Sequence, residues 1–299
     1  MTTTLPMEFH SAHDSRASHS NGEVAVLELA RQRVELAADI SGRCAVAASD
    51  QFLLLDLPTA ISFAEGPAEQ WLRWHSSLEG NAKFALERSS SLVRLRAEIP
   101  IEDGANISLQ LDESLRGLAR AHQVLQGAGA VAAPFVADAP TVPPSAELVD
   151  VAREAGFAVQ VRSDGSTLVD LPARSETIRA LLTADVRGVR AHVELLRSDS
   201  ASASCRAAVS LLLLRASGAI RFARPFVCGA DNELACGFEV RIVAPVALAT
   251  CVRALEALAV AASSWNAELL SLLEPSVAER YLAIYHHSTT PTNQELLYG

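Results

Sequence analysis

The residues best placed to do chemistry are carboxylates that recur in pairs: Asp50 and Asp164 in Ser-Asp steps, Asp56 and Asp170 in Asp-Leu-Pro steps. Two such groups brought together could serve as general acid and base. The same residues also suit turns, because Ser-Asp and Asp-Gly bond to nearby backbone and Asp-Leu-Pro ends a strand where proline lacks a ladder donor. The turn reading is preferred. His122 shares a helical stripe with Leu115, Leu118 and Leu125, a packing position. Cys251 reads as a small buried hydrophobe. Cys228 and Cys236 can approach across adjacent strands, but no His or second Cys pair completes a zinc set.

GAGAVAA at 127–133 resembles a dinucleotide turn, yet it follows a helix and runs into prolines, so phosphate would meet no helix N-terminus. His286, His287, His10, His13 and His19 have no carboxylate or cysteine at ligand spacing. GxSxG, HExxH, Walker and DxDxDG patterns are absent from the sequence. No catalytic residue, cofactor or metal is therefore expected. What remains is surface. Trp71 and Trp74, one turn apart with Phe63 nearby, form either core or a peptide groove. Arg94, Arg96 and Arg221 belong on a polar sheet face, either solvated or paired with an acidic partner.

The bulk numbers narrow the partners. In 299 residues with a formal charge of −10, the 25 basic residues include a single lysine, Lys83, and the arginines form no basic run. Duplex nucleic acid and anionic lipid need concentrated positive charge. Five cysteines without CxxC argue against a disulfide scaffold and for a reducing cytoplasm. No apolar run reaches the roughly 18 residues of a membrane span, and residues 1–22 lack the apolar core of a signal peptide. A protein in the cytoplasm, without membrane insertion, is expected.

The elements that must position these residues follow from periodicity. Helices are predicted over 23–40, from 67, over 112–126 and 145–156, near 175, over 245–264 and over 276–285. Strands are predicted at 44–48, 52–57, 83–88, 92–101, 107–111, 157–161, 167–171, 209–215, 220–227 and 238–243. The stretch 127–144 is small, Pro-rich and almost uncharged, as linkers are.

The order recurs. Gly42–Pro58 matches Gly156–Pro172 at an offset of 114, with Gly42/Gly156, Ser49/Ser163, Asp50/Asp164, Leu54/Leu168, Asp56/Asp170, Leu57/Leu171 and Pro58/Pro172 identical. A second patch, at 127, pairs Arg88 with Arg215, Ser90 with Ser217 and Arg94 with Arg221. A third, at 133, pairs Leu115 with Leu248, Arg120 with Arg253, Leu125 with Leu258, and also His122 with Leu255. The expected architecture is α+β: two tandem repeats, each an antiparallel sheet with packed helices in the order α-β-β-α-β-β-(β)-α. A disordered tail at 1–22 precedes repeats at 23–126 and 145–264, and a C-terminal helix and tail fill 265–299.

Through the DLP-ended hairpins and the LARAHQVL and CVRALEAL helices, this order resembles the type III secretion chaperone-like fold, including the YbjN-like family. The resemblance covers most of 23–264 as topology. It implies a module that binds segments of other proteins and pairs as a dimer, here replaced by an internal pseudo-dimer or retained as a homodimer. The leading expectation is thus a non-enzymatic, chaperone-like protein or peptide binder. The alternatives are an enzyme or small-molecule binder with its site between the repeats, and a scaffold without a client.

Overall fold

The computed structural model describes residues 21–37, 39–49, 52–62, 68–75, 78–86, 92–101, 107–126, 146–163, 166–172, 177–185, 188–229, 233–243 and 246–287. The first half runs α1 (Asn21–Leu36), β1 (Ala45–Ser49), β2 (Phe52–Ser62), α2 (Ala68–His75), β3 (Lys83–Leu86), β4 (Leu92–Pro100) and α3 (Ile107–Gln126). The second runs α4 (Ala146–Glu154), β5 (Ala158–Val161), β6 (Thr167–Pro172), β7 (Thr177–Asp185), β8 (Gly188–Ser198), α5 (Ala203–Ser217), β9 (Arg224–Cys228), β10 (Leu234–Val243), α6 (Leu248–Ser271) and α7 (Pro275–His287).

The class is α+β, with two antiparallel sheets ordered β1-β2-β4-β3 and β5-β6-β7-β8-β10-β9. With β7 and β8 set aside the orders coincide: a leading hairpin, then the last strand, then the penultimate strand at the far edge. Both hairpins are entered through a glycine at positive φ, Gly42 at 70° and Gly156 at 86°. Left-handed backbone of this kind favours glycine, which explains that identity between the halves.

Alternation does what a half-buried strand requires. Leu53, Leu55 and Leu57 of β2 face inward beside Ile99, Ala97 and Leu95 of β4, all buried, with α3 packed on the sheet. Beneath α6, Val169, Ala180, Ala191 and Val240 continue one apolar face across four strands. α6 is long and apolar enough to cross a membrane by length and composition, but its buried face packs along β6, β7, β8 and β10.

Several segments differ from the sequence expectation. Residues 107–111 belong to α3: the alternation of Ile107, Leu109 and Leu111 looks strand-like, but Leu111, Leu115 and Leu118 form the buried stripe. The region near 175 is the strand pair β7–β8, not a helix. Ile178, Leu181 and Leu182 have helical spacing, yet Ile178 and Leu182 face the core with Ala180 while Leu181 lies on the opposite face. Residues 209–215 lie in helix α5, which is buried nearly all round, between α2, α7, β3 and β9. Such a helix has no polar face, so its four consecutive leucines carry no helical period. β2 also runs past Pro58 to Ser62 after a break in register, so Asp-Leu-Pro ends a strand only in the second half. The stretch 127–144, Asp50, Asp164, Phe63 and the histidines at 10, 13 and 19 lie outside the described residues.

Candidate functional site

Two buried ion pairs occupy the seam between the halves. Lys83 Nζ lies 2.7 Å from Glu98 Oε2, with side chains 0% and 2% exposed, and Arg224 Nε lies 2.8 Å from Glu239 Oε1, both 0% exposed. Each joins the penultimate strand of its sheet to the last, and the offset from one to the other is 141 for cation and anion alike.

Each cation is completed by the opposite half. Lys83 donates to the carbonyls of Ile220 (2.5 Å) and Ala223 (3.1 Å), ahead of β9. Arg224 donates to those of Leu78, Gly80 and Ala82 (3.3, 3.3 and 3.1 Å), ahead of β3. The reciprocity extends to the neighbouring residues. His75 Nδ1–H at the end of α2 donates to Pro225 O at 2.7 Å, and Ser217 Oγ at the end of α5 donates to Phe84 O at 2.6 Å. α2 and α5 pack on each other, and each also packs on the other half's edge strand, β9 or β3.

The electrostatics follow from burial. Burial drives the Arg224 guanidinium down to about 10, and drives Lys83 below its ordinary value against the pull of Glu98. For Glu239 burial acts upward, but Arg190, Arg224 and Arg241 outweigh it and hold the carboxyl near 2. His75 is stacked on Phe84, and burial lowers it to about 3. It is neutral, with Nδ1 protonated and Nε2 accepting the Phe84 N–H at 2.7 Å. Around this core, Asn81 exchanges two hydrogen bonds with the Arg241 backbone (2.8 and 2.9 Å), and Glu69 binds both Arg73 and Arg206 across α2 and α5.

Of the residues singled out in the sequence, Trp71 is 5% exposed, edge-on to Phe84 and to the half-buried Trp74; its buried Nε1 has no hydrogen-bond partner among the described residues. Arg94 grips Asp56 with two bonds of 3.0 and 2.7 Å. Arg96 reaches the same carboxylate at 3.3 Å and donates to Gly218 O at 3.1 Å, a further link across the seam. Asp56 is therefore a mid-strand anion rather than a turn former. Arg221 is not on a sheet face: it lies in the loop between α5 and β9, 45% exposed and 3.9 Å from Glu98. Asp170 pairs with Arg179 at 3.2 Å on an exposed surface. His122 is buried on α3 within 3.4 Å of Arg43, and Cys251 is buried on α6. Cys228 and Cys236 are both free, one exposed and one buried. Among the described residues no group of His, Cys, Asp and Glu is arranged to hold a metal ion.

His75, Lys83, Glu98, Ser217, Arg224 and Glu239 escaped sequence reasoning. A signal was present: at an offset of 141, Ala82-Lys83 faces Ala223-Arg224, and Ala97-Glu98-Ile99 faces Phe238-Glu239-Val240. The patch at 127 has no such counterpart in the fold, since Arg215 and Ser217 lie in helix α5. The helices α3 and α6 correspond best at 140, where Leu111/Cys251, Ser114/Ala254, Leu115/Leu255, Leu118/Leu258 and Ala121/Ala261 are all buried. The sequence offset of 133 is one heptad short of this, which keeps the same helix face.

No family model, curated protein or solved structure matches this chain.

Proposed function

We propose that this chain is a non-enzymatic protein-interaction module: two chaperone-like units, descended from a duplication, joined as a single-chain pseudo-dimer that holds a segment of a partner polypeptide. The observation that carries the reading is the reciprocal seam. Lys83 and Arg224 each bind their own sheet's glutamate and the other half's backbone, and His75 and Ser217 cross in opposite directions. Contacts of this type are what a twofold interface between identical subunits produces, where residue i meets j and j meets i. The shared strand order supports the same origin.

Apart from Arg224 Nη2, which has no hydrogen-bond partner among the described residues, the ionisable groups at the seam are engaged by one another and by backbone groups, which favours a structural seam over a catalytic one. The outward surfaces of the sheets and helices are then left for recognition. In-cell cross-linking of the intact chain, followed by reconstitution with the purified captured protein, tests this reading. A defined stoichiometric complex is the expected result. Turnover of a small molecule with no polypeptide bound would overturn it.

A further inference from the structure

The seam also holds the chain's one side-chain amine. Of the 25 basic residues only Lys83 is a lysine, and it is fully buried. Arginine does not give up its proton, so Lys83 Nζ is the single basic side chain that an acyl donor could modify.

What Lys83 holds is strained. Residues 217–223, the connection from α5 to β9, are gripped from the first half at almost every step. Ser217 Oγ donates to Phe84 O at 2.6 Å, and Gly218 O accepts from Arg96 at 3.1 Å. Lys83 takes the carbonyls of Ile220 and Ala223, and the Phe222 N–H donates to Glu98 Oε2 at 2.9 Å. Within this run Phe222 stands at φ 61°, and the Ala223 N–H bonds Arg221 O across it at 2.6 Å. That is a γ-turn of the rare, strained hand. A bulky side chain seldom adopts such backbone, and the strain persists only where the surroundings over-determine it.

Here the surroundings belong to the first half. Glu98 holds the Phe222 amide, Lys83 holds the carbonyls on either side, and the rings of Phe222 and Phe52 lie 5.8 Å apart. The counterpart loop, held by Arg224, carries its positive φ on Gly80, at 55°, where such backbone is ordinary. The two latches match in their contacts and differ in strain. Only the one closed by lysine is loaded.

We infer that Lys83 is a modification site gated by the seam: joined halves shield its amine, and their separation exposes it to acylation by an acyl phosphate, after which the latch cannot re-form. In that step Nζ attacks the acyl carbonyl carbon and the bond from that carbon to the phosphate oxygen breaks. Inorganic phosphate leaves, and the proton from nitrogen passes to solvent. The product is a neutral amide with one N–H in place of three, facing Glu98 and two carbonyls. It also carries an added acyl group at a position with no exposed surface. Closure would bury Glu98 without its cation and leave carbonyls unbonded, both unfavourable. The Phe222 turn is then free to relax, and acylation fixes the open state. The inference goes beyond the interaction-module reading and stands on the seam contacts alone.

The test exposes the intact chain to acetyl phosphate in a series of urea concentrations below the unfolding midpoint. Peptide mass spectrometry reads acetylation of Lys83 against free Nα-acetyl-lysine amide in the same tube. Without urea, Lys83 should react at least about a hundredfold more slowly than the free amine. Its rate should rise with urea on a shallower slope than global unfolding, because the halves part before either unfolds. Reaction at the free rate overturns the shielding, and a slope equal to global unfolding overturns the gate. Hydrogen exchange of the acetylated chain, after urea is removed, then tests the latch. Residues 75–86 and 217–225 should lose protection while β6, β8 and α6 keep it. Protection unchanged throughout, or lost throughout, overturns the latch. The double variant Lys83→Met with Glu98→Leu has no side-chain amine, and its exchange should ignore acetyl phosphate. A matching loss of protection there would assign the effect to the α-amino group and overturn the role of Lys83.

Discussion

Lys83 and Arg224 complete each other's surroundings: Lys83 Nζ bonds Ala223 O, Arg224 Nη1 bonds Ala82 O, and both distances are 3.1 Å. Each cation thus fastens the chain immediately ahead of its counterpart. With partners on both sides of the seam, neither half can move away without uncovering a buried charge. Lys83→Met should therefore cost about 3–5 kcal/mol by stranding Glu98, and Lys83→Met with Glu98→Leu should recover much of that loss. Urea unfolding of the two single variants and the double variant measures the coupling. Additive losses would mean that the pair is not a unit.

His75 makes the seam sensitive to acid. Its pKa in the folded chain is about 3 against an ordinary 6.5, so the unfolded chain binds the proton more readily. Its contribution to stability is complete above about 6.5 and declines as pH falls toward 3, at about 1.4 kcal/mol per pH unit. Glu239, held near 2 against an ordinary 4.5, adds a second loss below about 4.5. Unfolding free energy measured from pH 7 to pH 4 should fall from near 6.5 downward, and His75→Gln should flatten the upper part of that slope. An unchanged slope in His75→Gln would assign the acid response to other groups.

Trp71 and Trp74 should separate in a stability experiment. Trp71 fills the core against Phe84, and Trp71→Ala is expected to cost about 3–5 kcal/mol. The half-buried Trp74 should cost distinctly less. Equal losses in chemical denaturation would contradict this packing.

Arg221, in the loop ahead of β9, and the Arg94–Arg96 pair on β4 should behave unequally as well. Arg221→Ala is expected to change stability by no more than about 0.5 kcal/mol, because the side chain is largely solvated. Asp56→Asn should cost more, about 1–3 kcal/mol, since it weakens bonds to both Arg94 and Arg96. Thermal melts at low and high salt would expose the difference.

Gly117 of α3 offers a check on how the first half is closed. A Cβ there would lie 2.3 Å from Glu79 O, in the loop that Arg224 caps at Leu78, Gly80 and Ala82. Gly117→Ala should destabilise the chain despite alanine's better helix propensity. A stabilised variant would mean that the loop yields easily.

The sequence by itself determined the class, the leading hairpins, the strands β3 and β4 and the closing helices: β2, β4, α3 and α6 each bury one face and so write a period of 2 or 3.6 into their residues, while β3, buried throughout, is marked by the Ser-rich stretch that separates it from β4. Of the 114-residue echo, Gly42 and Gly156 have a visible structural reason, since both stand at positive φ where a hairpin is entered. Tertiary structure decided the rest. α5 is surrounded on all sides and has no period to read, and β7 happens to space its apolar residues as a helix would. The seam was illegible for a further reason. A buried Lys or Arg is identifiable only by its partners, and here those partners are carbonyls some 140 residues away, groups that every residue carries and no side chain announces.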